Sequence, residues 1–294
     1  MDIIYRYDGS FEGFLCCVFE SYVNKEIPAG FQSALNLQPT FFDVRWIETD
    51  SAHAQRILRS IQRRSPYAEE LVAKGFLTCV SNKEEILYRF IRTLYDVGPS
   101  LMRRLSDDAL HPLIKAVRHL DGEVHLLRGF VRFSDFDGVL VGEIQPKNRV
   151  LPLLRSHFCS RFYNETLILY DRTNKEALFY RDGKWCISPL EHFEMARPDE
   201  QEAQFRRLWK RFYDTVAIRE RYNPKTRRTH MPMRYWGTMT EFQGEDYFQS
   251  APDLPSTPTK QSLSAAAPRP AAPGGIPAPG KPTESAPSAP ESAP

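Results

Sequence analysis

The stretch GFVRFSDFDGVLVGEI, Gly129 to Ile144, places Asp137-Gly138 between two runs rich in aromatic and β-branched residues. A two-residue type I′ turn needs positive φ at both central positions, and Asp-Gly supplies it, so the spacing predicts a hairpin. EALFYRDGKWCIS, Glu176 to Ser188, repeats the device at Asp182-Gly183, and TLILYD ahead of it reads as a further strand. Between the hairpins, Leu151 to Phe162 has helical spacing. The pattern predicts an α+β fold of mixed helices and short antiparallel hairpins.

Towards the N-terminus, DIIYRY reads as a short strand followed by Ser10 as a helix N-cap. Phe11, Leu15, Val18, Phe19 and Tyr22 then mark one helical face. FFDVRWI, Phe41 to Ile47, reads as a second strand. From Asp50 to Arg64 a helix carries Ile57, Leu58 and Ile61 on one side and Arg56, Arg59, Arg63 and Arg64 elsewhere, until Ser65-Pro66 interrupts it. Ser81-Asn82-Lys83-Glu84 has the form of a capping box opening a helix with Ile86, Leu87, Phe90, Ile91 and Leu94 at core spacing. Gly98-Pro99 stops that helix, and Leu110, Leu113, Ile114, Val117 and Leu120 stripe the next. Beyond the second hairpin, Asp199 to Ile218 forms another helix. Phe205, Leu208, Trp209, Phe212 and Val216 lie on one stripe of it, and Arg206, Arg207, Lys210 and Arg211 on the other face.

Composition changes abruptly after Phe242. Residues 243–294 are Pro, Ala, Ser and Gly with little else, and hold twelve of the 23 prolines. Such a segment buries too little apolar surface to offset its chain entropy, so it reads as a disordered tail with polyproline II character. Residues 1–242 form the folded α+β domain in this reading.

Formal charge is only +2, which argues against polyanion binding over the whole surface. The charge is uneven, however: Phe205 to Trp236 holds ten Lys or Arg against Asp214 and Glu220. The five cysteines (16, 17, 79, 159 and 186) form no C-x-x-C pair, and an odd count fits no complete disulfide framework. No apolar run approaches the roughly 20 residues that span a bilayer. MDIIYRYDGS lacks the basic-then-apolar order of a secretory signal, so the expected location is the cytoplasm, away from membrane.

Phosphate-loop, dinucleotide, zincin and nucleophile-elbow motifs are all missing, and Cys and His show no metal spacing. The expectation is a protein without metal or cofactor of its own. DGSFEGFL, Asp8 to Leu15, puts a helix N-terminus after a strand; the choice is between an anion site and a simple cap, and the missing phosphate-cradling glycines favour the cap. In RSHFCSRF, His157 and Arg161 stand one helical turn apart and could place a proton-transfer group beside a cation, with Glu143 at a strand end near by. These three are the catalytic candidates, against a purely structural role.

RERYNPKTRRTHMPMRYW, Arg219 to Trp236, is the strongest candidate interface. Arg219, Arg221, Lys225, Arg227, Arg228 and Arg234 can contact phosphates, Tyr222, Tyr235 and Trp236 offer faces for stacking bases, and Asn223 sits among them. The alternative is a cationic helix end favoured by the macrodipole.

DGSFEGFL, GFVRF, HFCSRF and LWKRFYDTVAIRERYNPKTRRTHMPMRYW together resemble a bacterial family described as DNA-metabolism proteins, its strongest marker being R-x-N-P-K followed by M-P-x-R-Y-W. The resemblance covers about Met1 to Phe242. It implies company with a radical-SAM protein of DNA modification or repair, and kinship with a domain fused ahead of a uracil-DNA glycosylase-like domain. It implies no assigned reaction and no catalytic residues. The chain has no iron–sulfur cysteine triplet, so radical chemistry would belong to the partner. The leading expectation is DNA metabolism or repair through binding of DNA or of that radical-SAM partner. An enzyme acting on a damaged or modified nucleotide, and a scaffold without direct DNA contact, are the alternatives.

Overall fold

The computed structural model describes residues 3–34, 37–218 and 221–242. Strands β1 (Ile3–Tyr7), β2 (Gly30–Ser33) and β3 (Asp43–Trp46) make a three-stranded sheet with β1 in the middle. Both pairings are parallel, so this sheet contains no hairpin. Parallel neighbours need a crossover, and α1 (Phe11–Val23) supplies the one between β1 and β2. Ser10 caps α1, its side chain accepting from the Gly13 N–H at 2.9 Å. α1 buries Phe14, Leu15, Cys16, Cys17 and Val18 while Tyr22 is exposed, because the helix packs on β1 and on α2 (Ser51–Arg64) at once. The expected strand FFDVRWI is shorter than read: Phe41 and Phe42 precede β3 and face solvent.

Ser65 ends α2 and caps α3 (Pro66–Phe76), accepting from the Ala68 N–H. α4 (Lys83–Val97) begins at Asn82 without a side-chain cap, so the expected capping box does not form. Its Glu84 carboxylate instead accepts the Tyr7 hydroxyl at 2.9 Å, a bond across the core that outcompetes the local one. Gly98 ends α4 at φ 77°, where a side chain would be strained. α5 (Leu110–Phe130) spans the core: Leu110 to Val117 pack with Tyr5, Tyr7, Phe14 and α4, and Leu120, Val124 and Leu127 pack beneath the second sheet.

That second sheet contains β4 (Phe133–Phe136), β5 (Val139–Ile144), β6 (Thr166–Asp171), β7 (Glu176–Arg181) and β8 (Lys184–Pro189) in chain order. The β4–β5 and β7–β8 hairpins form as read, with Asp137 and Gly138 at φ 52° and 81° and Asp182 and Gly183 at 50° and 76°. β5 and β6 run parallel around α6 (Leu151–Arg161), whose Leu151, Leu154 and Phe158 face the sheet.

α7 (Glu200–Val216), capped by Asp199, departs from the amphipathic expectation. Phe205, Leu208, Trp209, Phe212 and Val216 are 39 to 60 % exposed, and the buried side chains are Glu202 and Arg206. Arg206 donates to Glu202 at 2.8 Å and to the Ser134 hydroxyl, while the Glu202 carboxylate accepts the Asp135 N–H. The helix therefore docks on β4 through a buried ion pair and leaves its apolar stripe outside.

Candidate nucleic-acid interface

The C-terminal segment closes back on the second sheet through α8 (Pro224–His230) and two short 3-10 turns, Met233–Thr238 and Thr240–Phe242. Asn223 initiates α8 by accepting from the Lys225 and Thr226 N–H groups, both at 3.1 Å, so its side chain is committed to the cap. Pro224 at the first helical position costs nothing there. Arg221, Lys225 and Arg228 are exposed and make no ion pair among the described residues. Tyr222 beside them is 65 % exposed. Arg219 lies outside the described residues.

Arg227 turns inward instead. Its guanidinium lies 4.6 Å from the Trp236 ring centre, 4.9 Å from Phe242 and 5.9 Å from Tyr213, and its Nε is buried without a hydrogen-bond partner. Trp236 stacks on Phe242 and donates its indole N–H to the Met231 carbonyl. Arg227 is thus the pin that joins α8 to the closing turns and to α7.

Arg234 and Tyr235 do not join the exposed cations. Arg234 pairs with Glu123 at 2.7 Å and also touches the Tyr235 hydroxyl; Tyr235 is 1 % exposed and donates to Glu123 at 3.2 Å. Burial, then the nearby Glu123 charge, pushes Tyr235 up to about 12. Tyr235 has no free face for a base, and the expectation of stacking there is corrected: the M-P-x-R-Y-W run is a latch onto the core. Glu123 is its strike plate. Its two oxygens also accept the Lys147 and Asn148 N–H groups and the Asn148 side chain, the last at 2.7 Å. Asn148 in turn accepts the Cys79 N–H and contacts His119. A second buried acid fixes the end of the latch: Glu241, 2 % exposed, takes Arg132 in a two-pronged pair at 2.6 and 3.1 Å.

Sequence reasoning missed Glu123, although a signal was present. It sits on the apolar stripe of α5, three residues after Leu120 and four before Leu127, where a charge requires a partner.

The three catalytic candidates do not converge. Side chains alternate along β5, so Ile144 faces the core shared with α6 and Glu143 the other side of the sheet. Glu143 meets Arg172 at 3.1 Å there, and burial raises its pKa. His157, on α6, has its Nε2 buried without a partner, and burial together with the Arg128 and Arg161 charges lowers its pKa. At the start of α1, Asp8 itself occupies the place of an anion. Its carboxylate accepts from the Ser10 N–H and hydroxyl and from Thr49, and a Cβ on Gly13 would fall 2.3 Å from it. The cap reading holds.

Asp171, fully buried at the end of β6, accepts from Thr173 and from both the backbone and side chain of Asn174. It faces Glu176 across the β6–β7 pair. Burial, opposed by the Asn174 hydrogen bonds and reinforced by Glu176, pushes it from 3.8 up to about 6. A carboxyl whose folded pKa is raised favours folding while protonated, so stability falls as pH climbs from 3.8 to about 6. The drop from this residue is about 3 kcal/mol. Urea titrations across that window should show it, and Asp171→Asn, which removes the titrating group, should flatten it. Parallel pH profiles for the two proteins would remove this account.

Among the described residues, no group of His, Cys, Asp and Glu is placed to hold a metal, and no helix is long and apolar enough to cross a membrane. A family profile described as a domain of unknown function, DUF4130, matches residues 81–241. That span runs from the start of α4 to the Glu241 latch and leaves out the three-stranded sheet with α1 to α3. No curated protein matches the chain.

Proposed function

The chain belongs to the DUF4130 family, and from that premise we propose that it is a DNA-metabolism protein of the cytoplasm that holds nucleic acid on the outer face of α8. The observation that supports this reading is the trio Arg221, Lys225 and Arg228, exposed and without carboxylate partners among the described residues. The macrodipole accounts for Arg228 in the last turn of α8 but not for Lys225 in its first turn or Arg221 ahead of it, where cations are disfavoured. Arg227, Arg234 and Tyr235 fix the same segment to the core, so the three free cations are presented without much loss of chain entropy. Tyr222 supplies the exposed ring for a base.

Fluorescence anisotropy with a labelled single strand and the corresponding duplex, at several salt concentrations, tests the reading. Three phosphate contacts give a slope of about −2 in log affinity against log salt on a single strand. The Arg221→Ala/Lys225→Ala/Arg228→Ala variant should lose most of that slope and keep its melting temperature. Absence of binding at low salt, or an unchanged slope in the variant, rejects it. Arg227 is not a clean probe, since its removal also loosens the latch.

The uncovered apolar stripe of α7 favours a second reading, a protein contact. In this proposal the contact is with the radical-SAM protein or the uracil-DNA glycosylase-like domain that the family resemblance implies. Co-purification that survives nuclease treatment and is lost in Phe205→Ser/Phe212→Ser supports it over bridging by DNA.

A further inference from the structure

A groove of about 270 Å³ lies between α1, α2 and α4, away from α8. Phe19, Val23 and Ile57 form its apolar lining, with Tyr22, Ser60 and Tyr95 along one side. Its volume falls just below the roughly 300 Å³ at which small-molecule pockets begin, which leaves room for one planar ring system. The Tyr95 hydroxyl is buried at the edge of the apolar floor, with the Ser60 side chain as its polar neighbour.

The rim is cationic in an ordered way. Arg56 lies over Phe19, Arg92 over Tyr22 and Arg64 over Tyr95, at 5.7, 5.3 and 4.3 Å from the ring centres. None of the three has a carboxylate partner among the described residues; Arg92 donates to the Tyr88 hydroxyl and Arg64 to Ser60. Asp96 is the acidic neighbour of Arg92 and Tyr22, and offsets one of the three charges. A guanidinium carries five N–H donors, so Arg92 and Arg64, each spending one terminal nitrogen on Tyr88 or Ser60, keep further donors for a phosphate. The ring contacts and the bonds to Tyr88 and Ser60 also hold these heads in advance, so less freedom is lost when an anion arrives. Arg59 and Arg63 on the outer side of α2 extend the positive field.

We propose that this groove binds a nucleotide, with the base against Phe19, Val23 and Ile57 and the phosphate on Arg56, Arg64 and Arg92. The site stands apart from α8 and does not depend on the reading given to that helix. Its ligand is a nucleoside monophosphate, whether free or as one unit of a strand.

Isothermal titration of the full chain with deoxyadenosine monophosphate, deoxyadenosine, inorganic phosphate and a short oligodeoxyadenylate tests it. The monophosphate should bind at least about tenfold more tightly than the nucleoside or phosphate alone, because the site uses both halves. Arg56→Ala and Arg64→Ala should each weaken it about tenfold, one charge-assisted contact apiece. The α8 triple variant should leave it unchanged. A stronger oligonucleotide than mononucleotide identifies a strand as the source, and equal affinity identifies the free nucleotide; both support the site. No heat of binding with the monophosphate, equal binding of phosphate alone, or no effect of Arg56→Ala, an exposed residue whose loss leaves the fold intact, overturns it.

Discussion

Glu123→Ala lowers folding stability by about 3–5 kcal/mol, the cost of stranding one member of a buried ion pair. The whole margin of such a domain is about 5–15 kcal/mol, so the variant is expected to be largely insoluble or to melt far below the parent. The size follows from what the carboxylate holds. It takes Arg234, the Tyr235 hydroxyl, two backbone N–H groups and the Asn148 amide at a site 1 % exposed. Arg234→Ala should cost less, since the guanidinium is 32 % exposed and Tyr235 and Asn148 keep their acceptor. Urea denaturation of both single variants and the double closes the cycle: a coupling of about 0.5–3 kcal/mol is expected between residues in direct contact. If Glu123→Ala loses less than Arg234→Ala, the carboxylate is not the hub of the latch.

Arg206→Ala should release α7. The side chain is 9 % exposed and neutralises Glu202, equally buried, while bonding Ser134 on β4. Losing it leaves a carboxylate against the sheet edge, again worth about 3–5 kcal/mol if the rest of the dock stayed shut. α7 can escape that cost by lifting its N-terminal half, because its apolar stripe already faces solvent, while Tyr213 against Phe242 and Arg227 holds the other end. The effect should therefore appear as local opening: protease cleavage within residues 200–216 and fast amide exchange there, with a smaller change in global unfolding. Glu202→Leu/Arg206→Met restores shape without charge and should recover most of the protection, as buried ion pairs are often replaced neutrally by apolar residues. Equal cleavage of parent and Arg206→Ala would show that α7 is held by something else, such as the Tyr213–Phe242 contact.

Much of the fold was legible in short-range chemistry. Asp137-Gly138 and Asp182-Gly183 specified their turns because few dipeptides tolerate positive φ twice. Ser10, Asp199 and Gly98 marked helix ends for equally local reasons. The capping box at Ser81 failed because Glu84 found Tyr7, 77 residues away, and spacing along the chain says nothing of such a partner. β2 went unread since GFQS is short and half polar, and its parallel partner is distant in the chain. At the candidate interface, the excess of Lys and Arg was plain, but its division was not. Nothing in RERYNPKTRRTHMPMRYW tells Arg228, which is exposed, from Arg227, which is caged by three rings, or from Arg234, which is tied to an acid on α5.

By itself, then, the sequence determined the alternation of helices and hairpins and the presence of a cationic C-terminal segment, because dihedral preference, capping and charge are properties of neighbouring residues. Only the tertiary structure decided which cations stay in water, which face of α7 docks, and why Tyr235 is wall and not platform. Each of those depends on a buried partner, Glu123, Glu202 or the Arg227 cage, brought close by the fold from another part of the chain.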